Sequence, residues 1–124
     1  ILDETTGIAV DGIDASIGMS NVLDDEKLFK DILIMFYQDH QNDAEKLTLA
    51  IKNNDIKGLK YLVHTLKGVA CSVGAMPLFE ATESLDAAMN KQQENTYDKL
   101  LTDTITQLTI VMNNIDKKLI CSIE

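Results

Sequence analysis

The C-terminal part of the chain carries an apolar seam that an α-helix can bury along one side. Between residues 101 and 119 its members follow at steps of four, three, four, three and four residues: Leu101, Ile105, Leu108, Met112, Ile115 and Leu119. Because an α-helix has about 3.6 residues per turn, this spacing places them on one face. Such a stripe is buried by packing against antiparallel helices at about 20°. The seam therefore predicts a helical bundle.

The same periodicity recurs in three earlier segments. Apolar residues repeat at helical spacing over residues 28–51, 59–73 and 78–89, and the polar stretch at residues 38–43 is predicted to kink or break the first segment. A short helix is predicted within residues 11–18. The fold class is thus all-α, an up-and-down antiparallel four-helix bundle with a short N-terminal helix. Three methionines are assigned to the core of this bundle: Met35, Met89 and Met112.

Residues with strong preferences for helix ends mark the boundaries. Asp24 is predicted to cap the first long segment, Asp55 the second, and Asn95 or Thr96 the last. Gly74 is expected to end the second segment in a left-handed conformation, and Pro77 suits the first turn of the next helix. These signals predict short connections between long helices.

Size and charge limit the class of protein. The chain has 124 residues and a formal net charge of −9, so we expect one domain that is repelled by nucleic acid and by anionic membranes. Neither a membrane-spanning run nor a signal peptide is evident. Residues 1–10 are predicted to be a lead-in or linker, and residues 11–124 the domain. Cys71 and Cys121 lack disulfide-scaffold or zinc spacing, which favours a reducing cytoplasm.

The stretch "YLVHTLKGVACSVGA" at residues 61–75 places polar groups on the side opposite its apolar stripe. At 100° per residue, one exposed strip collects Lys57, Lys60, Tyr61, His64, Lys67, Gly68 and Cys71. Glycine in a helix costs about 1 kcal/mol relative to alanine, so Gly68 indicates a need for space beside His64. A neutral imidazole is a nucleophile towards phosphorus, and Lys67 attracts anions. His64 is therefore a candidate phosphoryl acceptor.

The run "HTLKGVACSVGA" resembles the signature of histidine phosphotransfer (HPt) domains. Its pattern His-x-x-Lys-Gly gives His64, Lys67 and Gly68, followed by the small pair Gly74 and Ala75, and the resemblance covers about residues 11–120. It implies a phosphorelay intermediate whose motif histidine takes a phosphoryl group on Nε2 from the phosphoaspartate of one receiver domain and passes it to another. Lys67 would then stabilise the phosphoryl oxygens, and Gly68 would let the receiver approach.

The resemblance also implies partners and context. The receiver domain supplies Mg²⁺ and most of the catalysis, so this domain is expected to bind no metal or cofactor and to be a phosphocarrier with little catalysis of its own. Receiver domains are the expected partners, with no nucleic acid and no direct membrane contact, and the isolated domain is expected to be a monomer. It is predicted to be cytoplasmic, either alone or as the C-terminal module of a hybrid sensor kinase, on the cytoplasmic side of an inner membrane.

Other readings of the same residues stay open. One alternative is a helical adaptor that binds receivers without carrying phosphate. Another is the dimerisation and phosphoacceptor part of a sensor kinase, but in such kinases an acidic residue follows the histidine, whereas Thr65 follows His64 in this chain. His40 lacks a following Lys-Gly pair and is interpreted as a cap or kink residue. Lys57, Lys60, Tyr61 and Cys71 are candidates for docking the partner; solvation, edge packing or, for the thiol, redox chemistry are the alternatives.

Overall fold

The computed structural model describes residues 9–120, and this part of the chain contains six α-helices and no strand. The helices are α1 (Ala15–Ser20), α2 (Glu26–His40), α3 (Asp43–Lys52), α4 (Ile56–Val73), α5 (Met76–Asn90) and α6 (Tyr97–Ile115). A 3-10 turn over Glu94–Thr96 precedes α6, and a π-helical turn over Asp116–Ile120 follows it. The predicted all-helical bundle is confirmed, whereas the up-and-down course of its helices stays a prediction.

α4 lies at the centre of the packing, because it contacts α1, α2, α3 and α5. Its inward line is fully buried and consists of Leu59, Val63, Leu66, Ala70 and Val73. Fully burying a valine or leucine side chain contributes about 1.5–3 kcal/mol to the free energy of unfolding. The seam of α6 is buried as predicted, except that Ile105 is only half-buried. The outward side of α4 is left to solvent.

The turn between α4 and α5 depends on Gly74. Its φ of +85° is left-handed, and its N–H closes the helix by donating to Cys71 O at 3.2 Å. Its carbonyl accepts a hydrogen bond of 2.7 Å from the backbone N–H of Asp14, the N-cap of α1. Pro77 lies in the first turn of α5. The predicted boundary is confirmed, and the same turn fixes α1 to the bundle.

Two sequence predictions about α2 are wrong. Asp25, not Asp24, caps the helix, with its carboxylate accepting from Leu28 N at 3.1 Å. Asp24 has a φ of +61° because its N–H returns to Met19 O and closes α1 instead. Met35 is 56% exposed rather than in the core. It lies roughly 100° around the helix from the buried Phe36, outside the inward line.

α2 and α3 are separate helices, so the polar stretch breaks the segment. His40 is the last residue of α2 and Asp43 the first of α3. His40 Nδ1 and Asp43 Oδ2 lie 2.7 Å apart across the break, with side chains only 15% and 6% exposed. The imidazole also packs against Phe36. The predicted break at this polar stretch is confirmed, whereas the C-cap position of α2 is taken by Gln41 and not by His40.

Some sequence predictions concern residues outside the described range. Residues 1–8 of the predicted lead-in and Cys121 are among these, and the domain boundary at residue 11 stays a prediction. Over residues 9–120, none of the helices combines the length and the apolar character needed to cross a membrane.

Candidate phosphoacceptor site

His64 lies on the exposed side of α4, in the middle of the helix. Within residues 9–120, no group forms a hydrogen bond or an ion pair with its imidazole. A neutral imidazole has one unprotonated nitrogen with a lone pair. Because His64 has no partner within the described residues, no group there engages that lone pair. The ring is available to an electrophile from outside.

Gly68 follows one turn after His64 and keeps the surface beside it low. A methyl group added at Gly68 would meet no atom beyond its own helical turn within 4 Å, counting residues 9–120. Both residues border a groove of about 510 Å³ between α2 and α4, lined by Ile32, Phe36, Asp39, His40, His64, Thr65, Gly68, Val69, Ser72 and Val73. The glycine therefore leaves open space rather than serving internal packing.

Lys67 points to the other side of α4. Its Nζ donates a hydrogen bond of 2.9 Å to Asp86 Oδ2 on α5, and the two side chains are 26% and 10% exposed. The sequence pattern placed Lys67 on a solvent-facing strip, but the structure shows it half-buried and paired. Asp86, on α5, was not among the residues that the sequence assigned to the site.

The contacts of Lys67 favour its charged form. The hydrogen bond to Asp86 raises the pKa of Lys67 above its usual 10.5, burial opposes this, and the negative charges of Asp86 and then Glu83 add to the increase. A raised lysine pKa contributes stability that is fully present below pH 10.5 and is lost as the pH rises through the folded-state pKa. At neutral pH Lys67 therefore carries its positive charge.

The four predicted docking residues are all exposed on α4: Lys57, Lys60, Tyr61 and Cys71. Tyr61 is 71% exposed, so it is a large apolar surface left to solvent. None of the four lines the groove between α2 and α4. Their role in docking stays a prediction.

The α2 side of the groove brings a second histidine to the site. His40 borders the same groove as His64, but its Nδ1 is engaged by Asp43. In the described part of the chain, no group of three His, Cys, Asp or Glu side chains is placed to hold a metal ion.

Comparison with known proteins decides the family. The family model for the Hpt domain matches residues 31–117, more than half of the chain. The chain belongs to the Hpt domain family. Comparisons with curated proteins and with solved structures give no match.

An Hpt domain carries out histidine phosphotransfer in two-component phosphorelays and interacts with receiver domains. The match includes both sides of the groove, α4 with His64 and most of α2, and also α5 with Asp86. The Hpt assignment thus agrees with the resemblance carried by the motif around His64. It states the class of function, and the roles of individual residues are proposals.

Proposed function

We propose that His64 is the phosphoacceptor of this Hpt domain, taking a phosphoryl group from the phosphoaspartate of one receiver domain and delivering it to the aspartate of another. The observation that supports this most is an exposed imidazole without a partner in residues 9–120, beside the open space at Gly68. His40, the other histidine, is mostly buried and paired. His64 is therefore the better acceptor of the two.

The proposed step conserves atoms and charge. With its proton on Nδ1, the ring attacks phosphorus through the Nε2 lone pair, the P–O bond to the receiver's aspartate breaks, and the carboxylate leaves as an anion. The product is an imidazolium N-phosphate, and the reverse displacement by a second receiver's aspartate regenerates neutral His64. Such a transfer needs in-line positioning and charge neutralisation more than covalent help from the acceptor.

The receiver is proposed to approach over α4 and the groove. Ile32 and Phe36 give the groove an apolar floor on the α2 side, and Gly68 leaves its α4 side low. Mg²⁺ is proposed to be held by the receiver, and Lys67 to stabilise the phosphoryl oxygens. The exposed residues Lys57, Lys60, Tyr61 and Cys71 are proposed to extend the docking surface along α4.

We also propose that the domain acts as a cytoplasmic monomer. The apolar lines of α4 and α6 are satisfied within one chain, so the fold needs no second copy to bury them. Light scattering checks the oligomeric state. A stable dimer would favour the alternative in which the chain is the dimerisation and phosphoacceptor part of a sensor kinase.

The experiment that tests this function is phosphorylation from receivers. The domain is incubated with a panel of phosphorylated receiver domains and Mg²⁺, and acid-labile, alkali-stable phosphate on the domain is scored. We expect label on the wild type and on the matched histidine variant His40→Gln, and none on His64→Gln. Equal label on His64→Gln would refute the assignment. No label on the wild type from any receiver would favour a non-phosphorylated adaptor.

A further inference from the structure

We infer that Asp86 is a positioning residue that competes with the phosphoryl group for Lys67, and so limits how long His64 keeps that group. This inference rests on the proposed role of His64. It concerns a carboxylate on α5 that is not part of the His-x-x-Lys-Gly pattern. The contact that carries it is the hydrogen bond of 2.9 Å from Lys67 Nζ to Asp86 Oδ2.

The side chain of Lys67 points away from the groove. His64 and Gly68 border the groove on the α2 side, whereas Lys67 reaches across to α5. Residues three apart on a helix are neighbours, so the lysine stem starts beside His64 while its ammonium is held towards the next helix. In the unphosphorylated domain the cation is therefore directed away from the groove.

The ion pair between Lys67 and Asp86 is partly shielded from solvent. The Asp86 side chain is 10% exposed and that of Lys67 is 26% exposed, so water screens the pair less than a fully exposed ion pair. Hydrogen bonds between two ionised groups are among the stronger ones in proteins. Glu83, on the same helix, adds negative charge near the ammonium without a hydrogen bond to it. Lys67 is thus drawn towards α5 by two acids.

Phosphorylation of His64 would give Lys67 a second anionic partner. A phosphoryl group brings negative charge on strong acceptor oxygens, and on His64 these oxygens would attract the ammonium away from Asp86. The ammonium of Lys67 has three N–H donors, so it can bind the Asp86 carboxylate and the phosphoryl group at the same time. Its single positive charge is then divided between the two anions. Lys67 therefore stabilises the phosphohistidine less than it would if Asp86 did not compete for its charge. A relay intermediate benefits from this, because a very stable phosphohistidine would not pass its phosphoryl group on.

The test uses phosphoramidate, a small donor that needs no receiver. Its P–N bond breaks, ammonia leaves, and phosphorus bonds to His64; after removal of the donor, ³¹P NMR follows hydrolysis, in which water oxygen replaces the imidazole nitrogen on phosphorus. Asp86→Asn retains the shape and an acceptor oxygen but removes the charge. We expect its phosphohistidine half-life to be about fivefold longer than that of the wild type, the scale of one partly screened ion pair.

Three variants distinguish competition for Lys67 from other effects. Glu83→Gln is the matched control, because it removes a charge from the same helix without breaking the hydrogen bond, and we expect a half-life within about twofold of the wild type. Lys67→Ala should shorten the half-life. In the double variant with Lys67→Ala, the substitution Asp86→Asn should have an effect of less than about twofold.

The possible results separate the inference from the function on which it rests. An unchanged or shorter half-life for Asp86→Asn, with the melting temperature intact, would overturn the inference and leave His64 as the acceptor. An equal effect of Asp86→Asn with and without Lys67 would also overturn it, since Asp86 would then act by its own charge. A phosphohistidine signal on His64→Gln equal to that of the wild type would instead refute the proposed role of His64. In urea-unfolded samples the difference between Asp86→Asn and the wild type should disappear, and a difference that persists there would overturn the inference, because it would not depend on the folded contact.

Discussion

Gly68→Ala is the substitution that best separates the stability of α4 from access to His64. Alanine in a helix interior is more favourable than glycine by about 0.8–1.0 kcal/mol. Because the added methyl group would meet no atom beyond its own turn within 4 Å among residues 9–120, no clash offsets this gain. We expect the free energy of unfolding to rise by about 1 kcal/mol. For 124 residues this corresponds to a melting temperature about 4 °C higher.

The same methyl group should slow transfer from a receiver, because it occupies the space beside His64, the proposed acceptor. We expect a decrease of about tenfold for Gly68→Ala and about a hundredfold for Gly68→Gln, since misplacement of reacting groups by 1 Å has effects of that size. Phosphorylation by phosphoramidate should remain within about twofold of the wild type, because a small donor does not need the cleared surface. Urea unfolding and the two labelling rates measure these quantities.

Thr106→Gln is the matched control for bulk. Thr106 is an exposed position on α6, lies outside the groove, and should tolerate glutamine with unchanged transfer. If Gly68→Gln is as active with receivers as Thr106→Gln, Gly68 is not needed for partner access. If Gly68→Ala is less stable than the wild type, the added methyl group must meet a neighbour, and the conclusion that Gly68 borders open space is wrong.

Four further substitutions test contacts within the fold and the exposure of His64. Gly74→Ala should lower the free energy of unfolding by about 2 kcal/mol or more in urea titrations, because a left-handed alanine is strained and its Cβ would clash with the carbonyl oxygen of Asp14. Leu66→Ala should lower it by about 2–5 kcal/mol by leaving a cavity under α4, as the same titration would show. The pKa of Asp14 is lowered below 3.8, most by the hydrogen bond from the Ser16 side chain and next by the one from the backbone N–H of Ile17. The stabilisation from these hydrogen bonds is therefore present above pH 3.8 and is lost as the pH falls through the folded-state pKa. Asp14→Asn should reduce that loss in acid melting curves. His64→Gln should change stability by less than about 0.5 kcal/mol in thermal melts, because the side chain faces solvent.

The ends of α4 could be predicted because local chemistry determines them. Asp55 accepts from the backbone of Gly58, and Gly74 takes the left-handed conformation that other residues avoid. The cap of α2 could not be read in the same way, since Asp24 and Asp25 are both good caps. The choice depends on how α1 ends, with Leu23 and Asp24 both at positive φ.

The candidate site was predictable on α4 but not across helices. Helical periodicity places His64 and Gly68 on the outside, and the structure agrees. Periodicity along one helix does not show which side chain of a neighbouring helix lies opposite. Lys67 and Asp86 are 19 positions apart, and their pairing depends on how α4 and α5 pack. One sign was available: Asp86 stands next to Leu85 in an otherwise apolar stretch, where a carboxylate needs a partner.

The central place of α4 has a consequence for motion. A helix that contacts four others cannot open locally without losing most of the core, so its backbone amides should exchange with deuterium only through global unfolding. The six-residue α1 should exchange faster. The backbone beneath His64 therefore samples few alternative positions, and little ordering entropy is lost there when a partner binds. Any conformational adjustment on docking over this part of α4 is therefore expected in the partner rather than in the backbone of α4.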